Sequence, residues 1–390
     1  LFPDEVFTNS GLTGRQMQAK AKNMLYDWFV TFRKEGFTEW NSSPYLPIDT
    51  LGFGSLYAFA QDPAMRELGR EGMDFAYYLL AVHSQQGIFA SSSGRTYIKE
   101  QFGNWSNCPS GLSWIGYGYG VPGHAGKGIT SYCLSDYEPP KEFAQWFSIP
   151  RGKEMICQTT QGNDGYVDLY TYKTADYMMT SANDFHPGEP GHQENPFQLT
   201  FNAVAQLWVT HPGERVLFGA ARPSYWAGNG TLPKVNQYKA FAGLIYDIAP
   251  EHPVDFTHLY LPSMEFDRCE VEGKWAFVQL GSAYAAVYCS NGMRMQDFGS
   301  NKDRECIAEG RRCIWLVRAA QADEFAAFED FKAAMRGAAL DADAEGRRYR
   351  FVDPVYGELR CQWGETLYVN DAPMQYSGFD NYGKLTMQEK

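Results

Sequence analysis

Residues 166–213 place the strongest constraint on how this chain can fold. Two runs rich in Tyr, Val and Thr precede the turn cluster Asp-Phe-His-Pro-Gly-Glu-Pro-Gly-His, and two further apolar runs follow it. Runs of β-favouring residues separated by Gly and Pro clusters predict strands joined by turns. The turn cluster carries His186 and His192 where the chain reverses. A polar turn between long strands is a position from which a β-domain can present imidazoles to a neighbouring domain.

Helical periodicity dominates the first part of the chain. Apolar residues at helical spacing predict helices over 14–35, 48–61 and 62–83, with Gly36 as the stop signal after the first. Short helical segments are expected near 124–135 and 139–148. Residues 103–123, which are rich in Gly, Trp and Tyr, are expected to form a long ordered loop.

Strand patterns dominate after Pro150. They cover 154–160, 165–182, 196–210, 235–249, 256–261, 273–279, 283–289, 305–318 and 359–369, and one helix is expected at 323–336. Short connections favour antiparallel pairing, because parallel pairing needs a crossover of about a dozen residues. The predicted architecture is α+β and multidomain: a helical domain at 1–150 followed by an antiparallel β-sandwich at 151–390, with an extensive interface between them.

Composition excludes several classes of function. The net charge of −12 argues against nucleic acid as a partner, because phosphate binding needs a basic face. No apolar run is long enough to span a bilayer. The eight cysteines form no CxxC pair and no Cys/His metal spacing, so buried free thiols are favoured over disulfides. No organic cofactor is expected, and ligand spacing does not support a structural divalent cation in the β domain.

The first residue and the aromatic content bear on location and ligand. The chain begins with Leu1 rather than Met, which we interpret as a mature or trimmed product. A secreted or periplasmic location is favoured over a cytoplasmic one, and homo-oligomerisation is left open. Aromatic residues reach 16%, and sugar-binding clefts use them because the apolar faces of pyranose rings stack on flat side chains. This excess favours a carbohydrate ligand only modestly.

Three segments carry a resemblance to a known family. Residues 36–81, which contain Trp-Asn-Ser-Ser-Pro-Tyr, look like a helix pair of an (α/α) toroid, and residues 164–201 look like the strands of a β-sandwich. Residues 275–288 resemble a strand that carries a Gly-Asp-x-Tyr element, with Ser282 in place of the acid. Together they resemble the heparinase II/III-like polysaccharide lyases and their alginate-lyase relatives. The helical part is shorter than a full toroid of that family, so a partial toroid is expected.

The resemblance implies a lyase that cleaves a uronate-containing glycan by β-elimination, with an acidic polysaccharide or oligosaccharide as substrate. The reaction needs a group that neutralises the substrate carboxylate, a base for the C5 proton and an acid for the leaving oxygen. Asn41 is expected to stabilise the carboxylate, and Tyr97 and His192 to move the protons, with all three lining one cleft. Tyr45 is a further catalytic candidate. The candidates for substrate binding are Arg95, His186, His124, Arg222 and Trp226.

Two other functions stay open. A glycoside hydrolase would need two carboxylates that face one another. Five carboxylates are available without forming a recognisable pair in the sequence: Glu39, Asp49, Asp164, Asp176 and Glu194. A catalytically silent carbohydrate-binding protein is the second alternative, because the family's His-x-His-x-Asp run is His-Gln-Glu-Asn at 192–195 here. Some candidates also have structural explanations: Asn41 can cap a turn, and Tyr45 and Tyr97 can be packed aromatics.

Overall fold

A computed structural model describes residues 2–102, 107–120, 128–162, 166–217 and 221–390. Its helices are α1 Gly14–Glu35, α2 Leu46–Phe59, α3 Pro63–Val82, α4 Ile98–Gln101, α5 Ser110–Tyr117, α6 Ile129–Cys133 and α7 Phe328–Gly337, with 3-10 helices at Lys141–Trp146 and Ser263–Glu265. Its strands are β1 Val6–Phe7, β2 Leu12–Thr13, β3 Ser84–Gln85, β4 Ile88–Phe89, β5 Lys153–Gln161, β6 Val167–Lys173, β7 Met178–Asn183, β8 Phe197–Thr200, β9 Gln206–Thr210, β10 Lys234–Tyr238, β11 Phe241–Asp247, β12 Phe256–Tyr260, β13 Arg268–Glu272, β14 Trp275–Leu280, β15 Ala283–Cys289, β16 Arg294–Met295, β17 Glu305–Glu309, β18 Arg312–Gln321, β19 Leu340–Asp343, β20 Arg348–Asp353, β21 Gly357–Gln362, β22 Tyr368–Val369, β23 Ala372–Pro373 and β24 Lys384–Glu389.

The strands form antiparallel sheets. The largest has nine strands in the order β16-β17-β12-β9-β8-β7-β6-β5-β24, and the second has six in the order β10-β11-β18-β15-β14-β13. A five-stranded meander runs from β19 to β23, and β1-β2 and β3-β4 are small hairpins. Every strand pair between described residues is antiparallel. The prediction of an α+β chain with antiparallel sheets is confirmed.

The nine-stranded sheet is covered on both faces. Tyr170 and Tyr172 of β6 point into a core that they share with apolar residues of the six-stranded sheet, of α7 and of β20 and β21. Successive side chains of a strand point to opposite faces. Thr171, between those tyrosines, therefore faces the helices, where its hydroxyl lies 3.1 Å from Nδ1 of His83 at the end of α3. Met155 and Cys157 of β5 pack in the core of the helices. The helical and β parts thus share a packed interface.

The end of the chain returns to the helices. Strand β24 pairs with β5 at the edge of the nine-stranded sheet. Just before it, the ring of Tyr382 lies 5.0 Å from that of Phe75, and Asn381 donates a hydrogen bond to the Phe32 carbonyl oxygen at 3.1 Å. Residues of 151–390 therefore complete the surface on which α1 and α3 pack.

Several boundaries differ from the sequence-based expectation. The strand expected at 165–182 is the hairpin β6-β7, because Thr174 bonds to Tyr177 and turns the chain. The loop expected at 103–123 contains α5, and the described residues beyond 380 add the unexpected strand β24. No described helix is both long and apolar enough to cross a bilayer. None of the eight cysteines, all of which are described, forms a disulfide, and six of them are buried.

Two buried histidines predict that acid destabilises this fold. Burial lowers the pKa of His83 to about 3, and burial with the neighbouring His252 lowers the pKa of His211 to about 3. Both imidazoles are neutral in the folded chain, whereas in the unfolded chain they gain a proton below about pH 6.5. The unfolded state therefore binds more protons between these values, and each histidine removes up to about 1.4 kcal/mol of stability per pH unit as pH falls.

Urea unfolding at several pH values between about 7 and 5 measures this loss. We expect His211→Gln to flatten the pH dependence of the unfolding free energy, and His192→Gln, at an exposed histidine, to leave it as in the original chain. A stability that does not fall over this range would contradict the prediction.

Candidate functional site

Three loops meet beside the ends of β7 and β8. The loop at 91–97 pairs with the segment before β8: the Ser93 and Asn195 backbones exchange hydrogen bonds of 2.9 and 2.7 Å. The Thr96 amide donates to the Gln193 carbonyl oxygen at 3.0 Å, and the Gln193 side chain donates back to the Thr96 carbonyl oxygen at 2.9 Å. These bonds join the helical part to the β part.

The third loop is the Trp-Asn-Ser-Ser-Pro-Tyr segment before α2. The Trp40 carbonyl oxygen accepts a bond from the Gly94 amide at 2.8 Å. A Cβ atom on Gly94 would lie 2.6 Å from the Trp40 indole nitrogen, so a side chain there would clash. Asn41 adopts a left-handed φ of 47° and donates from its side-chain amide to the Ser92 carbonyl oxygen at 3.3 Å. With 2% of its surface exposed, Asn41 supports the 91–97 loop from beneath and does not present its amide to solvent.

Tyr97 is the centre of a cluster of aromatic and cationic side chains. The guanidinium of Arg222 lies 5.0 Å from the centroid of the Tyr97 ring, and that of Arg95 lies 5.2 Å from the centroid of the Tyr45 ring. A hydrogen bond with Tyr45 and the charges of Arg222 and Arg95 hold the pKa of the Tyr97 hydroxyl below its ordinary value. A half-buried phenol between two cations is suited to proton transfer, because its anion is stabilised.

Two adjoining concavities of about 370 Å³ each share Tyr97 and Lys99. One is lined by Pro44, Tyr45 and Ile48, together with Glu100. The other is lined by Ile98, Gln193, Ala221, Arg222, Ser224 and Ala227. Tyr97 therefore lies in a cleft whose walls come from both parts of the chain.

The two arginines differ in how their charges are satisfied. Arg95 lies 3.4 Å from a Glu39 carboxylate oxygen and donates to the Gln193 side-chain oxygen at 3.1 Å. Arg222 is exposed and forms no ion pair with any described residue. It is thus the cation of this cluster that is free to bind an anionic ligand.

Neither the described histidines nor Trp226 are among the residues that line the two concavities, although His192 directly precedes Gln193, which is. His192 is exposed, and its backbone amide donates to a Glu194 carboxylate oxygen at 2.5 Å. His186 lies farther along the same turn, 3.3 Å from a Glu189 carboxylate oxygen. Trp226 is only 2% exposed and stacks on His258 at 4.0 Å, so it supports the loop of Arg222 from the core rather than forming a wall. His124 lies outside the described residues.

The carboxylates do not form a facing pair at Tyr97. Glu100 is the only carboxylate among the residues that line the two concavities, and it is buried, 3.3 Å from Lys99. Burial and the nearby Glu39 raise the pKa of Asp49 to about 7, but Asp49 lines a separate apolar groove between α1 and α2. Asp176 bonds to Arg151 and Ser282 on another part of the sheet, and Asp164 is not described.

Sequence reasoning missed Gln193 and Lys99. Gln193 joins Arg95 and Thr96 to the β part, and Lys99 adds a cation that both concavities share. The only sequence signal that could have indicated them is that Gln193 follows His192 directly and Lys99 lies two residues after Tyr97. Within the described ranges, no group of three His, Cys, Asp or Glu side chains could hold a metal ion.

No protein-family model, curated protein or solved structure matches this chain. An interpretation of the cleft therefore depends on the chemistry of its own residues.

Proposed function

We propose that this protein is a lyase that cleaves a uronate-containing polysaccharide by β-elimination. The observation that carries the proposal is Tyr97, whose hydroxyl has a lowered pKa and whose ring contacts the guanidinium of Arg222, a cation without an ionic partner among the described residues. A proton acceptor next to an anion-binding group is what removal of a proton α to a carboxylate requires. No organic cofactor is needed for this reaction.

In the proposed mechanism Arg222 binds the C6 carboxylate of the uronate and stabilises the charge that develops when the C5 proton leaves. Tyr97, as phenolate, takes that proton. The electron pair of the C5–H bond forms the C4–C5 double bond, the C4–O bond breaks, and the leaving oxygen takes a proton from Tyr97 or from His192. Arg222 takes the role that the sequence suggested for Asn41, because Asn41 is buried and bonded to Ser92.

Tyr45, Arg95 and Gln193 are positioning residues in this mechanism. Tyr45 bonds to Tyr97, and Arg95 adds positive charge near the same hydroxyl. Gln193 holds Arg95 and the Thr96 backbone, which precedes Tyr97 in the chain. His186 and Trp226 have no direct part in the proposed proton transfers.

We also propose that α1 to α3 represent part of an (α/α) toroid and that the two large sheets form a β-sandwich. Support comes from the packing of α1 and α3 on one face of the nine-stranded sheet and from the core that its other face shares with the six-stranded sheet. The cleft then lies at the junction of the two domains, and ligands commonly bind at such junctions.

A screen of uronate polymers tests the proposed function. Elimination leaves a C4–C5 double bond conjugated to the carboxylate, so we expect ultraviolet absorbance to rise together with new chain ends. New reducing ends without that absorbance would indicate hydrolysis. Binding without either signal would indicate a carbohydrate-binding protein.

Arg222→Gln is expected to lower kcat/KM for the cleaved polymer by about 10²–10³, the loss typical of one group that stabilises developing charge. Initial rates of the absorbance change measure the effect. Arg294→Gln, at an exposed arginine of β16, is the matched control and should retain normal rates. A variant at Arg222 with unchanged kcat/KM would contradict its role.

A further inference from the structure

A second concavity lies at the other end of α4 from Tyr97. It has a volume of about 670 Å³, and its lining includes Phe102, Tyr260, Met264 and the chain around Arg304. Tyr97 is the N-cap of α4 and Phe102 its C-cap. The four residues of α4 rise by only about 6 Å, so the two sites are neighbours on the surface.

The Tyr260 hydroxyl is one reason to expect that this concavity binds a ligand. The ring of Tyr260 is 7% exposed, stacks on Trp208 at 4.0 Å and meets the edge of Phe102 at 5.0 Å. The hydroxyl of Tyr260 forms no hydrogen bond with another described residue, so it is available to donate to a ligand in the concavity, and its ring is fixed in the wall by these contacts. Burial raises the pKa of Tyr260 to about 12, so the hydroxyl is a proton donor at neutral pH.

Lys302 and Arg304 are the cations of the lining, and Lys302 pairs with Asp303 at 4.0 Å. Arg304 is exposed, and its guanidinium forms no ion pair within the described part of the chain. Glu265 and Asp303 also line the site and can accept bonds from sugar hydroxyls, while the ring of Phe102 offers an apolar surface. An apolar ring face beside separate donors, acceptors and one free cation matches a sugar that carries an acidic group.

We propose that this concavity, lined by Phe102, Tyr260 and Arg304, is a second binding site for an acidic sugar of the polysaccharide. Arg304 binds the acidic group, the Tyr260 hydroxyl donates to the sugar, and Phe102 packs against the ring. The site rests on the proposed function for the identity of its ligand, since it extends the cleft at Tyr97 along the substrate chain. The protein then holds a polymer at more than one sugar rather than only at the bond that is cleaved.

Binding of sodium glucuronate, observed by saturation-transfer NMR, tests this proposal without any need for turnover. The first site is removed with Arg222→Gln, and the second is then probed with Arg304→Gln in the same background. We expect the signal to persist in Arg222→Gln. When Arg304→Gln is added, the affinity for glucuronate should fall about tenfold or more and the signal should weaken accordingly, as expected for the loss of one charge-assisted hydrogen bond. Arg294→Gln in the same background is the matched control and should leave the signal intact.

The outcomes separate the second site from the proposed function. Three results would each overturn the second site, whether or not the protein is a lyase. They are no binding to the original chain, loss of the signal in Arg222→Gln alone, and persistence of the signal after Arg304→Gln is added. Tyr260→Phe, which keeps the ring and removes only the hydroxyl, should also weaken binding in the Arg222→Gln background. A lyase assay that fails while Arg304-dependent binding remains would reject the catalytic proposal and keep the second site.

Discussion

Tyr97→Phe is expected to lower the turnover of the cleaved polymer by about 10²–10⁴-fold, the contribution typical of a general acid–base residue. The substitution removes one hydroxyl from a half-buried ring whose contacts with Arg222 and the neighbouring loops remain. The fold should therefore be unaffected. Initial rates of absorbance change measure the loss, and circular dichroism with urea unfolding confirms that the chain is folded.

A phenolate base also has a signature in the pH profile. The hydrogen bond with Tyr45 is the main cause that lowers the pKa of Tyr97. Tyr45→Phe removes that bond, so the pKa of Tyr97 should rise and the ascending limb of kcat/KM should move to higher pH. If Tyr45 has only a structural role, Tyr45→Phe should lower the rate without shifting the ascending limb of the pH profile.

Tyr26→Phe is the matched control, because Tyr26 is an exposed tyrosine of α1. We expect it to retain the original rate and pH profile. Near-normal turnover in Tyr97→Phe would reject the proposed mechanism, whatever the effect at Tyr45.

Elements with strong local signals could be predicted from the sequence. Helix α1 begins and ends where expected, because Thr13 and Gln16 form a capping box and Gly36 takes a positive φ of 66° at its end. The sequence indicates two β-favouring runs before the turn cluster, but it does not locate the turn at 174–177 that separates them, since this turn has no Gly, Pro or Asn. Strand β24 was missed because it is a polar edge strand, whose place depends on pairing with the distant β5.

In the site, the types of residue could be predicted from the sequence, whereas the burial of each side chain could not. The sequence named Tyr45, Arg95 and Arg222 as separate candidates by residue type, and the structure brings them together around Tyr97. Which side chains are accessible depends on residues far along the chain. Trp226 is buried because His258 and Trp208 pack on it, and no local pattern around residue 226 indicates that contact.

Removal of one partner from a buried ion network should strongly destabilise the β part. The side chain of Arg318, on β18, is only 3% exposed. Its guanidinium donates hydrogen bonds of 2.7 Å to the carboxylates of Asp353, on β20, and of Glu324. It thus links the six-stranded sheet to the five-stranded one. Arg318→Met would leave the fully buried Asp353 carboxylate without its cation, and removal of one partner from a buried pair typically costs about 3–5 kcal/mol. We expect a loss of that size in the urea-derived unfolding free energy.

Arg350→Met tests whether burial, rather than the loss of an arginine, causes that effect. Arg350 lies on the same strand as Asp353 and pairs with Glu358, but its side chain is 52% exposed. Exposed ion pairs contribute only about 0.2–1 kcal/mol, because water already solvates both charges. The two variants should therefore differ several-fold in their loss of unfolding free energy at neutral pH. Equal losses would contradict the prediction, because they would show that burial of the ion pair does not increase the cost of losing its arginine.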